Sequence, residues 1–368
     1  MIQVFKPKLS ISDISSVFIN LVRNNISGTS PVVGEFEKKL ANIFNRKHVT
    51  AVSNGSVALD VAFQLIDLQE DDEVILPSFT IVSCLSAVIR SKAKPVFCDV
   101  KPDSWNMSLE QVMEKVTKKT KAVLMVHIYG LPSEAKEIAK FCKSRGIILI
   151  EDAAEAHGQK ESGELCGSFG DISTLSFYAN KHITTGEGGA LLTNNDEYDK
   201  NAKQMRNLDF SNEQRFNSKN LYWNYRMSGL QAALGISQIK NLNKTIKNKK
   251  KQGAYYQQLF ADYGEIVQTP LESVNSSENH YWVFGILLKK ENMRDTLMEQ
   301  LRSIGIETRP FFWPLHLQDA LPDKHKPEEN SLPTSEQLGS DGLYIPIGPH
   351  IKRKHQEFIV KSILEILL

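Results

Sequence analysis

The sequence predicts an α/β protein: a large, mainly parallel sheet layered with helices, followed by a small C-terminal α+β domain. Three observations predict it. Short runs rich in Val, Ile and Leu recur through the first two thirds of the chain, helical patterns separate them, and the texture changes after about residue 245. The strand candidates, in order, are 73–76 (EVIL), 94–98 (KPVFC), 122–127 (AVLMVH), 147–150 (IILI), 172–177 (ISTLSF) and 189–193 (GALLT). Near-continuous apolar runs of this kind suit strands covered on both faces. Helical patterns occupy 56–66, after an SNG turn, then 81–91 and 133–144. Strand and helix in alternation point to βαβ units.

The later chain reads differently. A basic helical stretch covers 240–251 (KNLNKTIKNKKK), and its lysines read as a solvated face rather than a binding patch. A strand is expected at 281–288, a helix at 293–304 and a strand at 306–312. The polar segment 273–279 reads as punctuation. Segment 319–337, with three prolines and few apolar residues, reads as a mobile loop. The predicted division is 1–245 for the large domain and 246–368 for the small one.

Composition excludes several classes of function. The 44 Lys+Arg and 43 Asp+Glu give a net charge of +1, so no field of one sign is available to hold nucleic acid or an anionic membrane. No apolar run approaches the ~18 residues that a membrane helix needs. The opening residues lack the apolar core of a signal peptide, and a cytoplasmic location is expected. Cys84, Cys98, Cys142 and Cys166 are far apart, and nine histidines show no ligand spacing, which disfavours a disulfide framework or a metal site. No GxGxxG follows the first strand, which counts against a dinucleotide-binding enzyme.

Three short segments can carry chemistry. In 147–158 (IILIEDAAEAHG) a buried strand runs into a carboxylate, Asp152. Ligands of open α/β sheets bind beyond the carboxyl ends of strands, so Asp152 either faces such a crevice or caps a following helix. In 176–189 (SFYANKHITTGEGG) a strand ends, Lys181 sits in the connection and a glycine-rich turn follows. A lysine there is either an ordinary surface residue or an amine desolvated in a pocket, whose lowered pKa frees it for Schiff-base chemistry. In Ser53-Asn54-Gly55-Ser56 the unpaired amides of a helix start form either a plain N-cap or a phosphate seat. Together the three match the needs of pyridoxal 5′-phosphate (PLP): an amine for the aldehyde, an acid for the pyridinium nitrogen and amides for the phosphate.

These segments, with DDEVILPSFT, VHIYGLP, NYRMSGLQAALG and IETRPFFWPLH, resemble the DegT/DnrJ/EryC1/StrS family over almost the full length. These are PLP-dependent nucleotide-sugar aminotransferases with the type I, aspartate-aminotransferase fold. The resemblance implies that Lys181 forms the Schiff base, that Asp152 pairs with the pyridinium nitrogen, and that Glu155 sits near the 3′-oxygen. It further implies that Phe79 stacks on the pyridine ring and that Gly55, Ser56 and Ser176 hold the phosphate. Asn224, of NYRM, would reach the phosphate in a neighbouring subunit, so a homodimer with shared active sites is implied. Arg309 is implied as a contact to the sugar nucleotide, with His316 as a further candidate that is also readable as structural. L-glutamate would be the amino donor. NKxITTGEGG, NYRM and ETRPFF are most similar to the branch that aminates GDP-4-keto-6-deoxy-D-mannose at C4. Dehydratases of the same family carry histidine in place of the lysine; here Ser176 and the ITTGEGG turn fix the frame on Lys181, with His182 next to it. His182, where threonine is more usual, and the SGTSP stretch at 27–31 depart from that branch, which leaves UDP- and dTDP-linked sugars open as substrates.

Overall fold

The computed structural model describes residues 1–210, 215–275, 277–327 and 331–368. The chain begins with α1 (Ile11–Val22) and α2 (Pro31–Phe44). It continues through β1 (His48–Val52), α3 (Gly55–Gln64), β2 (Glu73–Pro77), α4 (Val82–Arg90) and β3 (Lys94–Cys98). Next come α5 (Leu109–Lys115), β4 (Thr120–Val126), α6 (Ala135–Arg145) and β5 (Ile148–Asp152). A small hairpin, β6 (Lys160–Glu161) and β7 (Glu164–Leu165), precedes β8 (Ile172–Ser176), β9 (Gly189–Thr193) and α7 (Asp196–Arg206).

The seven-stranded sheet has the order β1-β9-β8-β5-β4-β2-β3. β3, β2, β4, β5 and β8 pair in parallel, and β9 runs against both of its neighbours. Side-chain alternation shows that both faces are covered. Leu76, Leu124 and Ile150 pack with Leu59 and Phe63 of α3, whereas Ile75, Val123 and Leu149 pack with Ile138 and Cys142 of α6. Sequence-expected strands therefore appear in place, and 94–98 and 189–193 coincide with β3 and β9. Every parallel strand ends on the same edge, and that edge carries the Ser53, Ser78, His127, Ala153 and Phe177 connections.

The second part comprises α8 (Gly229–Phe260), β10 (Val267–Gln268), the hairpin β11 (Ser273–Val274) and β12 (Ser277–Glu278), and β13 (Phe284–Leu288). α9 (Arg294–Ser303), β14 (Arg309–Pro310), α10 (Pro333–Asp341), β15 (Gly342–Ile345) and α11 (Arg353–Leu367) complete it. Its antiparallel sheet has the order β10-β13-β15-β14.

Several expectations for this part need correction. The division at 245 falls inside one continuous 32-residue helix, α8, started by a capping box between Ser228 and Gln231. The opening residues belong with the second part: Ile2 bridges Ile306, and the Ile347 amide donates to the Val4 carbonyl. Lys249, within the lysine-rich stretch, is buried and donates to the carbonyls of Trp282 (2.9 Å) and Ile347 (3.4 Å). Burial pushes its ammonium down to about 7. The strand expected over 306–312 is reduced to the two-residue β14: Ile306 bridges Ile2 instead, Pro310 has no N–H to donate to β15, and only the Phe311 amide bonds onward, to the Gly342 carbonyl. Of the segment expected as a loop over 319–337, a 3₁₀ turn forms at Asp323–His325, α10 starts at Pro333, and 328–330 lie outside the described residues. Segment 273–279 carries the β11–β12 hairpin, with 276 likewise outside them.

Candidate active site

β5 delivers its last residue, Asp152, to the carboxyl edge of the sheet, where it is 3% exposed. Its Oδ1 accepts from the Ala154 amide (3.0 Å) and the Thr174 hydroxyl (3.3 Å). Among the described residues Oδ2 receives only the Cys84 thiol, at 3.6 Å. Burial raises the Asp152 pKa, while the Ala154 amide and the charge of Lys181 oppose the rise. An almost fully buried carboxylate oxygen with spare acceptor capacity is therefore aimed into the site.

Lys181 follows β8 and brings its amine 3.5 Å from Glu155 Oε1. Burial lowers the lysine pKa, and Glu155 and Asp152 pull it back up. Burial also raises Glu155, to about 7, against the Lys181 charge and the Tyr129 amide, which donates to Oε2 at 2.8 Å. The same desolvation thus disfavours the charged form of both partners, while each charge favours the other. Tyr129 reaches this position through a left-handed backbone (φ +56°) followed by Gly130 (φ +86°).

The SNG turn caps α3, with Asn54 Oδ1 accepting from the Val57 amide at 2.9 Å. A Cβ on Gly55 would stand 2.8 Å from that of Ser176, so glycine is what lets the α3 start meet the end of β8. Ser56 Oγ lies 2.7 Å from Ser83 Oγ, which adds a hydroxyl from α4. Gly55, Ser56 and Ser176 are thus brought together, with helix-start amides beside three hydroxyls, a suitable seat for a phosphate. The spare Asp152 oxygen, the desolvated Lys181 amine and this cradle fit PLP.

Other expected residues lie elsewhere. Phe79 is fully buried, its ring packed against Tyr129, Phe311 and Phe312 at centroid distances of 5.8, 5.7 and 6.2 Å. No ring face of Phe79 is open to a cofactor; the exposed side chain of this turn is Ile81. His316 is also buried, with Nδ1 2.6 Å from Ser78 Oγ and Nε2 3.2 Å from Glu336. Nδ1 ties the C-terminal part to the β2–α4 turn and Nε2 ties His316 to α10, so both ring nitrogens are engaged within the protein. Arg309 is exposed and paired with Glu307 at 2.7 Å. Its strand partner Tyr344 packs on Tyr129, which links it to the Glu155 side of the site. Asn224 is exposed beside Trp223, while the next carbonyl, of Tyr225, accepts from the Ser53 amide at 2.8 Å. His182 is buried with neither ring nitrogen partnered among the described residues.

Cys84, Thr174, Tyr129, Ser83 and Trp282 join the site without having been singled out from the sequence. Only Tyr129 left a trace, as the residue before a glycine in VHIYGLP.

Comparisons with known proteins agree with this geometry. The model of the DegT/DnrJ/EryC1/StrS aminotransferase family matches residues 11–364. GDP-perosamine synthase of Vibrio cholerae is 36% identical over 351 residues, covering 95% of this chain and 94% of that one. GDP-perosamine synthase of Escherichia coli O157:H7 is 34% identical, covering 99% and 98%. The crystal structure of the aminotransferase TlmJ from Streptoalloteichus hindustanus superposes with a TM-score of 0.93 at 26% identity, covering 100% and 99%. With its doubly covered sheet, its cofactor cradle and a match spanning nearly all of its length, the chain belongs to the DegT/DnrJ/EryC1/StrS family of PLP-dependent aminotransferases.

Proposed function

We propose that this enzyme transfers the amino group of L-glutamate to GDP-4-keto-6-deoxy-D-mannose at C4, giving GDP-perosamine for a surface polysaccharide such as an O-antigen, in the cytoplasm. The similarity to two GDP-perosamine synthases over nearly the whole of each chain supports this substrate. One observation carries the chemistry: the Lys181 amine is buried 3.5 Å from Glu155 at the carboxyl edge of the sheet, in the electrostatic reach of Asp152.

PLP, when bound, supplies an aldehyde that takes up amines and a pyridinium ring that accepts the electron pair of an adjacent C–H bond. Asp152, fixed through Oδ1, would accept the ring N–H with Oδ2 and keep that nitrogen protonated. Lys181, desolvated and therefore readily neutral, would take up and return the α-proton of the amino donor, and reverse the transfer for the keto sugar. Glu155, whose pKa lies at about 7, would hold the proton that Lys181 releases. Gly55, Ser56 and Ser176 would bind phosphate, and Arg309 would meet the anionic sugar nucleotide. Lysine at 181, where dehydratases of the family have histidine, favours nitrogen transfer.

A homodimer completes the reading. α1 exposes Ile11, Ile14, Phe18 and Val22, at 85, 60, 63 and 67%, along one stripe, and Leu221 and Trp223 are exposed next to Asn224. A stripe of this kind supports docking against a second copy. Asn224 would then reach the phosphate of the partner's cofactor.

The test is a coupled assay with glutamate and a panel of GDP-, UDP- and dTDP-linked keto sugars, identifying the product by mass and NMR. Turnover confined to a UDP or dTDP sugar would exclude the perosamine assignment and leave amino transfer standing.

A further inference from the structure

Trp282 comes from the C-terminal part of the chain, between Tyr281 (φ +50°) and β13, and is 5% exposed. Its indole N–H donates to the carbonyl of Asn180 (3.1 Å), the residue before Lys181. The Lys181 amine itself lies over the indole face, 3.7 Å from the ring centroid. Tyr129 flanks the ring at 6.0 Å, and the Trp282 carbonyl accepts from buried Lys249 on α8. The Trp282 side chain therefore holds the lysine's amine and the carbonyl of the residue before it, and the Trp282 main chain is anchored to the long helix.

We propose that Trp282 is a positioning residue: its indole face is the resting place of the Lys181 amine whenever that amine is not joined to the cofactor. The inference rests on the reading that Lys181 is the reactive lysine. In a two-stage amino transfer that amine is set free in the first half-reaction, stays free while the cofactor carries the nitrogen, and has to return to the same atom at the end of the second. A four-carbon stem left loose would sample many rotamers. An aromatic face attracts an ammonium, more so where water is excluded, and releases a neutral amine without a hydrogen bond to break. The other titratable groups around the amine are Asp152, Glu155 and His157. A carboxylate alone would hold the charged form too firmly. The indole adds a weaker grip, 3.7 Å from the amine to the ring centroid.

The experiment uses the full chain loaded with pyridoxamine 5′-phosphate, the cofactor form that leaves the lysine free. Competitive acetylation with acetic anhydride, which acylates the neutral amine and releases acetate, gives the Lys181 pKa by peptide mass spectrometry. Placing 5-fluorotryptophan and then more heavily fluorinated tryptophans at position 282 weakens the ring's attraction for a cation while keeping its shape and N–H. We expect the Lys181 pKa to fall stepwise, by about one unit in all. The kcat for amino transfer should fall with it, with the KM for glutamate unchanged. Trp282→Phe, which keeps a ring but loses the bond to Asn180, should lower kcat further. A Lys181 pKa that is constant across the fluorinated series would overturn the inference. Borohydride reduction of the PLP-loaded enzyme tests the underlying reading separately, since it converts the C=N bond to a stable secondary amine. Cofactor fixed on another lysine sinks that reading, whereas cofactor on Lys181 with an unshifted pKa sinks only the role of Trp282.

Discussion

Asp152 and Glu155 stand three residues apart, both buried, yet their partners give them different work. Asp152 is anchored through one oxygen and leaves the other for a ring nitrogen. Asp152→Asn should therefore lower kcat roughly 10²-fold or more while leaving the circular dichroism spectrum unchanged; near-wild-type turnover would contradict its assignment. Glu155, raised to about 7 from an ordinary value near 4.5, binds its proton more tightly folded than unfolded. Its contribution to stability is thus fully present below about pH 4.5 and is lost as pH rises through about 7. Glu155→Gln, which retains an acceptor for the Tyr129 amide, should flatten that part of the stability profile, read as urea midpoints of the cofactor-free chain against pH. The residues legible in the sequence were those whose meaning is local. Asp152 ends a buried strand, Lys181 precedes a glycine-rich turn, and Gly55 opens a helix. Cys84 reaches Asp152 across 68 residues and Trp282 reaches Asn180 across 102, distances at which no spacing rule applies. Phe79 shows the opposite error: an aromatic residue in the right turn, but pointed inward.

At the scale of elements, the parallel strands were readable because burial on both faces leaves nearly unbroken apolar runs. The β11–β12 hairpin was not, because a two-residue ladder carries no periodicity, and β14 was expected only as part of a longer strand over 306–312. Two features of the large sheet hold the site in shape. Gly189, at the start of β9, lies against the SNG turn so closely that a Cβ would run into the Asn54 carbonyl. Gly189→Ala should push that turn off Ser176, weaken PLP binding and destabilise the fold by about 1–3 kcal/mol, checked by cofactor titration and denaturant unfolding. One residue before Asp152, Glu151 faces the other side of the sheet and binds the amides of Gly167 (2.5 Å), Phe169 (2.9 Å) and Gly170 (2.9 Å), with His127 at 3.0 Å. Burial alone would raise its pKa; His127, the Gly167 amide and the charge of Arg46 outweigh burial and hold it at about 2. Glu151→Ala strands those donors and should cost roughly 3–5 kcal/mol in urea unfolding, loosening β5 and the Asp152 that ends it.

For the whole molecule, the exposed stripe of α1 sets an expectation about assembly. Phe18→Glu removes no core contact, because that side chain is already 63% exposed. If the stripe joins two copies, the variant should sediment as a folded monomer and lose amino transfer; an unchanged mass would refute the docking face. The overall architecture was legible as a large sheet followed by a smaller one, but the division between them was not, since α8 crosses it without a break in its helical pattern. The N-terminal contacts were equally hidden, as MIQVF has no signal of its own beyond being apolar. The Val4 amide donates to Glu307, 303 positions later. During synthesis this segment must therefore wait until residues 306–347, which receive it, have been translated, so its docking belongs to the last stage of maturation rather than the first.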